Sequence, residues 1–318
     1  MTDELPRILI SSRYRPRLAD VPCAPVWYES IEEAATAAAG TDAAWLSPFA
    51  SGELVSRVLE RGGRRLRWVH YNSTGVEHMA LGEFRERGVT LTNGAGLYAI
   101  PIAEHVVMCM IAARLNLLGL MRAQAAATWA PETESDQELN GSVALILGYG
   151  ALGRAVGARA RALGVTVLGA RRSGDSAPED GVSSGGTWRE QLPRADLVVL
   201  TLPSTPETRG IVGERELAAM KPGAWLINVA RGSLVDEAAL LAALTSGHLG
   251  GAALDAFQHE PLPPEHPFWA LPNVILSPHS SWRSSRLLER EVALFGDNLR
   301  RFIDGDPLQN VVDLEAGY

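Results

Sequence analysis

Short apolar runs alternate with longer alanine- and leucine-rich segments along almost the whole chain. Runs at 8–11 (ILIS), 43–46 (AAWL), 68–71 (WVHY) and 89–93 (VTLTN) predict strands in the first part. Runs at 143–147 (VALIL), 165–168 (VTVL), 197–202 (LVVLTL), 224–228 (AWLIN), 252–255 (AALD) and 274–277 (VILS) predict strands in the second. These runs are unbroken rather than alternating, so each strand is expected to be buried on both faces. Stretches such as SIEEAATAAAG, ALGRAVGARARALG and DEAALLAALTSG lie between them and have helical composition. Strands alternating with helices predict an α/β fold of doubly wound parallel sheets. Residues 100–121 predict one long, largely buried helix, and residues 285–304 a helix able to return to the first module. The polar stretch 126–142 marks a module boundary before the strongest strand.

At 318 residues the chain is long enough for about two domains. Its net charge of −8 gives no general attraction to nucleic acid or anionic lipid. The most apolar long stretch contains Glu104, His105 and Arg114, which argues against a membrane span. The start, MTDELPRILI, has acids where a signal peptide needs bases. Two well-separated cysteines, Cys23 and Cys109, point to a reducing compartment, and a cytoplasmic location is expected. No histidine pair has helical metal-ligand spacing, so no metal is expected.

The strand at 143–147 runs into GYGALG and then a helix, which places Gly148, Gly150 and Gly153 in a G-x-G-x-x-G turn between strand and helix. That turn, with Ala151 and Leu152 opening the helix, suits a dinucleotide pyrophosphate at a helix N-terminus. A carboxylate for the adenosine ribose usually follows about 20 residues on. Here Arg171 stands 21 residues after Gly150, flanked by Arg172 and Ser173. A guanidinium suits a 2′-phosphate, so NADP(H) is expected in preference to NAD(H).

Three segments at predicted strand ends, residues 227–240, 252–274 and 275–282, supply Arg231, Glu260 and His279. Hydride transfer to a keto acid needs such a set: a cation, a proton donor and a carboxylate to hold the donor. NVARGSLVDEAAL, ALDAFQHEPLP, PNVILSPH and TLPSTPETRGIV together closely resemble the D-isomer-specific 2-hydroxyacid dehydrogenases, over nearly the whole chain. The resemblance implies two Rossmann-like domains with the active site in the cleft between them. It implies a substrate-binding domain of residues 1–98 plus 285–318 and a dinucleotide-binding domain of residues 99–284. Arg231 would bind the substrate's carboxylate and carbonyl, His279 would be the acid/base, and Glu260 its partner. Asp255 would lie near the nicotinamide carboxamide. Leu202, Pro203, Thr208, Val229, Ala230 and Ser281 would also face the cofactor. YNSTGVEHMA resembles the loop whose amides hold the carboxylate, placing Thr74 and Gly75 there. A homodimer built around the long helix and the Trp129 region is also implied.

The chain departs from the family pattern at Arg171, at Ser280-Ser281 after the Pro-His pair, and at Ser73 in the carboxylate loop. Trp282, next to these serines, is expected to wall the substrate pocket. The arginines and EPLPPEHPFW look most like the NADPH-linked glyoxylate/hydroxypyruvate reductases. The expected partner is therefore a small 2-keto or 2-hydroxy acid. A non-catalytic dinucleotide sensor or corepressor of the same fold, and an enzyme oxidising an inorganic or one-carbon anion, remain as alternatives.

Overall fold

The computed structural model describes residues 5–17, 22–47, 50–129, 137–172, 182–184 and 186–317. The chain divides into two compact units, Met1–Tyr98 with Ser284–Tyr318, and Ala99–Arg283. No single helix among the described residues is long and apolar enough to cross a membrane.

The first unit contains β1 (Arg7–Ser11), β2 (Ala24–Tyr28), α1 (Ile31–Ala37), β3 (Ala43–Leu46), α2 (Gly52–Gly62), β4 (Trp68–Tyr71), α3 (Leu81–Arg87) and β5 (Thr90–Asn93). Its sheet is parallel, in the order β2-β1-β3-β4-β5. The second unit contains α4 (Ala99–Arg114), α5 (Leu117–Ala125), β6 (Val143–Leu147), α6 (Ala151–Ala162), β7 (Thr166–Arg171), β8 (Val182–Ser184), β9 (Leu197–Leu200), α7 (Glu214–Ala219), β10 (Trp225–Asn228), α8 (Glu237–Thr245), β11 (Gly251–Leu254) and β12 (Val274–Leu276). Its sheet is also parallel, ordered β12-β11-β10-β9-β6-β7-β8. A final helix, α9 (Leu287–Asp304), belongs to the first unit.

The continuous apolar strands are explained by two cores per unit, one on each face of the sheet. In the second unit Leu145, Leu147, Val198 and Leu200 enter one core, while the intervening Ala144, Ile146, Leu197 and Val199 enter the other. In the first unit Leu9, Leu46 and Val69 face one core. Ile8, Ile10, Trp45 and Trp68 face a second core, which α9 completes. There Phe295 of α9 stacks on Trp45 at 4.0 Å between ring centroids, and Trp45 stacks on Tyr14 at 3.9 Å. Each fully buried large apolar side chain contributes roughly 1.5–3 kcal/mol. Packing on both faces therefore makes these strands strongly determined.

The two units solve one local problem in the same way. The first N–H of β1 is taken by Asp42 Oδ2 and that of β6 by Asp196 Oδ2, both at 2.8 Å. Each aspartate is anchored in turn by a cation, Arg65 for the first and Lys221 for the second. Burial pushes the Asp196 carboxyl up, but the bonds from Lys221 and Val143 outweigh it and hold it below its usual range.

Three elements differ from the sequence reading. The strand β2 was not expected, because Pro25 interrupts it. It lies at the sheet edge, the position where a strand tolerates proline. The short β8 likewise forms an edge. The long helix expected at 100–121 is two helices bent by 69°, because Asn116 takes the left-handed conformation (φ 50°) between them. Asparagine is one of the few residues that enters that region readily.

Candidate functional site

At the carboxyl end of β6 the chain turns through Gly148, which has a φ of 98° and whose missing Cβ would lie 2.7 Å from the Thr201 backbone. The N–H groups of Gly148 and Tyr149 both bond the Ala170 carbonyl at 2.9 Å, fixing the turn against β7. A Cβ on Gly153 would stand 2.5 Å from the Gly148 oxygen, so helix and strand approach closely. A Cβ on Gly150 would instead meet open space. Gly150 caps α6 with no side-chain bond to its N–H groups. An uncapped helix start facing open space fits a phosphate, and Ala151 and Leu152 lie in its first turn.

The strand β7 ends on Arg171, whose Nε is buried with no hydrogen-bond partner among the described residues. A buried donor without an acceptor is costly unless a ligand supplies one. Arg172 follows and is exposed, and Ser173 lies outside the described residues. After β9 the chain passes through Leu202 and Pro203 into a tight turn. The Thr208 hydroxyl closes this turn, accepting from Thr205 N at 2.7 Å and donating to the Pro203 carbonyl at 2.7 Å. Thr205 Oγ1 donates to the exposed Glu207 carboxylate, which this bond and the Arg172 charge hold below its usual range.

After β10, the buried Val229 and Ala230 place their side chains in the cores, leaving backbone as their contribution to any ligand. Asn228 shapes the turn: its Oδ1 accepts from Ala230 N and its Nδ2 donates to the Arg231 carbonyl. The Arg231 guanidinium donates to the Ala230 carbonyl at 2.9 Å.

Beyond β12 the turn carrying His279 is strained, with a φ of 47° at the histidine itself. Such a conformer costs on the order of 1–3 kcal/mol and persists only where neighbours over-determine it. Asp255, at the end of β11 and 1% exposed, does this. Its Oδ1 accepts from Ser277 Oγ at 2.5 Å and from Ser280 N at 2.8 Å, and its Oδ2 accepts from Ser281 N at 3.1 Å. The Trp282 indole N–H donates to the His279 carbonyl at 2.8 Å, so this residue braces the turn. His105 of α4 sits 3.4 Å from Ser277 Oγ, and its burial lowers its pKa. Sequence reasoning gave Asp255 a place near the nicotinamide and His105 no role, and missed Asn228. The available signal was a polar residue ending an otherwise apolar strand.

The outcome is that His279 Nδ1 and Glu260 Oε2 lie 2.7 Å apart. Glu260 Oε1 accepts from Phe257 N at 2.9 Å, which fixes the carboxylate. An apolar cavity of about 600 Å³, lined by Phe257, Leu262, Trp269 and Leu276, flanks the pair. With the carboxylate accepting from Nδ1, the other ring nitrogen, Nε2, is the one left to move a proton. In the first unit, Thr74 and Gly75 follow β4 in a loop at the carboxyl edge of that sheet. Among the described residues there is no group of side chains arranged to hold a metal ion.

Residues 107–281 match the family described as D-isomer specific 2-hydroxyacid dehydrogenase, NAD binding domain. The chain belongs to this family. It is 35% identical over 260 residues to a glycerate dehydrogenase of Methylorubrum extorquens, covering 78% of this chain and 79% of that protein. It is 33% identical over 261 residues to a glyoxylate reductase of Thermococcus gammatolerans, covering 79% and 78% respectively. The NADPH-dependent glyoxylate/hydroxypyruvate reductase of Sinorhizobium meliloti, solved with NADP and sulfate, superposes with a TM-score of 0.82. It is 28% identical, over 99% of this chain and 100% of that one. The protein is thus an NAD(P)-dependent 2-hydroxyacid dehydrogenase built from two parallel-sheet α/β units.

If Asp255 holds the histidine turn, Asp255→Ala strands the Ser280 and Ser281 N–H groups. Urea unfolding is then expected to show a loss of about 1–3 kcal/mol, with kcat falling in the same preparation. Unchanged stability and turnover would leave the turn held by something else.

Proposed function

We propose that the enzyme reduces a small 2-keto acid to the D-2-hydroxy acid, with NADPH preferred to NADH. The observation that supports this most directly is the 2.7 Å contact between His279 Nδ1 and Glu260 Oε2 on a turn locked by Asp255. His279 donates a proton from Nε2 to the carbonyl oxygen of the substrate during reduction and takes it back during oxidation. Glu260 keeps the ring in the tautomer that makes this possible and neutralises the charge it carries when both nitrogens are protonated. Arg231 binds the substrate's carboxylate and polarises its carbonyl. The Thr74 and Gly75 amides hold the carboxylate. The nicotinamide dinucleotide, when bound, supplies the hydride. Its pyrophosphate rests on Gly150, Ala151, Leu152 and Gly153, and Leu202, Pro203, Thr208, Val229, Ala230 and Ser281 complete its surroundings. Arg171 and Arg172, with Ser173, take the 2′-phosphate. The buried Nε of Arg171, which has no hydrogen-bond partner among the described residues, supports that assignment.

We also propose a homodimer. Met108 and Ile111 on α4, Leu120 and Met121 on α5, and Trp129 are large apolar side chains left exposed, Trp129 at 93%. Exposed apolar groups in such number on adjoining helices favour burial by a partner. Equilibrium sedimentation is expected to give twice the chain mass, and a monomer at micromolar concentration would remove the proposal.

Small 2-keto acids such as glyoxylate and hydroxypyruvate are expected to be turned over, and the corresponding aldehydes hardly at all. His279→Ala should lower kcat by about 10²–10⁴-fold with dinucleotide affinity largely kept. Near-normal kcat would take His279 out of the mechanism.

Arg171→Asp should shift the ratio of kcat/KM values from NADPH towards NADH, less so at high salt, where exposed charges are screened. A wild type that prefers NADH, or a ratio indifferent to the change, would reduce these arginines to a solvated loop.

A further inference from the structure

The loop after β4 is held by its carbonyls. The Asn72 carbonyl accepts from Tyr98 Oη at 2.6 Å, the Ser73 carbonyl from Gly94 N at 2.9 Å, and the Thr74 carbonyl from Asn93 Nδ2 at 2.9 Å. Three successive carbonyls are therefore engaged by the last residue of β5 and the segment that follows it. The N–H groups of Thr74 and Gly75 meet no acceptor among the described residues. The contact is close: a Cβ on Gly94 would collide with the Asn72 carbonyl. Asn93 is itself oriented, since its Oδ1 accepts from Ala95 N at 3.1 Å.

A buried chain of hydrogen bonds sets the Asn72 side chain as well. Trp68 Nε1 can only donate, and it does so to Thr92 Oγ1 at 2.8 Å. Asn72 Oδ1 can only accept from His70 Nε2, so in the neutral ring Nδ1 is the acceptor and the Thr92 hydroxyl, 2.8 Å away, donates to it. The Nε2–H of His70 donates to Asn72 Oδ1 at 3.1 Å, and Asn72 Nδ2 donates to Tyr14 Oη at 2.5 Å. Burial pushes the His70 pKa down to about 3, so the ring stays neutral and this proton order persists at neutral pH. Burial likewise pushes the Tyr98 phenol upward, keeping it a donor.

We propose that Tyr98 and Asn72 are positioning residues for the substrate: Tyr98 holds the Asn72 carbonyl and the buried chain holds the Asn72 side chain, and with Gly94 N on the Ser73 carbonyl and Asn93 Nδ2 on that of Thr74 they keep these carbonyls turned away, so that the Thr74 and Gly75 amides face the carboxylate. The proposal rests on the reading above that this loop binds the carboxylate. A loop with its carbonyls released would rotate some of them towards the anion and repel it. Tyr98 thus acts on substrate affinity through the backbone, without touching substrate.

Tyr98→Phe removes the donor and keeps the ring. With glyoxylate as the varied substrate, KM is expected to rise about 3–10-fold, the loss of one net hydrogen bond. Both kcat and the Kd for NADPH should stay within about twofold. Tyr14→Phe, whose ring remains stacked on Trp45, should raise KM in the same direction by a smaller factor. A lower Tm with unchanged KM in both variants would make the cluster purely structural and overturn the proposal. Arg231→Lys in the same assay separates the two levels of inference. A KM raised by Arg231→Lys but not by Tyr98→Phe leaves the substrate reading standing and this proposal overturned. A wild type that reduces no 2-keto acid overturns both.

Discussion

A parallel strand packed on both faces can offer a polar group to a ligand only where it leaves the sheet. Its backbone is paired on either side and its side chains alternate between two apolar cores, as in Leu145 and Ile146 of β6. Chemistry is therefore displaced to strand ends. Gly148 follows β6, Arg171 closes β7, Leu202 follows β9, Arg231 follows β10, Asp255 follows β11 and His279 follows β12. In the first unit, Asn72 to Gly75 follow β4 in the same manner. Ligand groups collect at one edge of each sheet because the fold leaves them no other place.

That displacement creates a second requirement. A loop at a strand end is freer than the strand, and hydride transfer demands groups held within fractions of an ångström. The protein meets this with buried amides and carboxylates that spend their hydrogen bonds on loop backbone. Asp255 gathers the N–H groups of Ser280 and Ser281, Asn228 pins the Arg231 turn, and Asn93 holds the Thr74 carbonyl. Each buried polar group is costly if left unsatisfied, so each one permits few loop conformations. The strained backbone at His279 is the clearest product of this arrangement, since no local preference would select it.

Much of this was legible in the chain. Unbroken apolar runs, helical stretches between them and a glycine turn between strand and helix carry their own physical meaning, because burial on two faces and close backbone approach restrict residue type directly. The motifs around Arg231, Glu260 and His279 carried the resemblance to a family, and with it the roles those residues would play. The edge strand at 24–28 was hidden by Pro25, whose tolerance depends on which strand lies beside it. The break at Asn116 was hidden by an apolar composition that suits one long helix as well as two.

The sequence by itself determined the alternation of elements and the glycine turn between strand and helix, since these follow from local spacing and residue chemistry, and its motifs named the candidate side chains of the site. Tertiary structure alone decided what holds those side chains in place. Asp255 and Ser281 are 26 residues apart, Tyr98 and Asn72 are likewise 26 apart, and Tyr14 and Asn72 are 58 apart. A hydrogen bond between distant residues exists only once the sheet has brought its strand ends together. Nothing in the spacing of an aspartate and two serines announces that one will impose a left-handed histidine on the other.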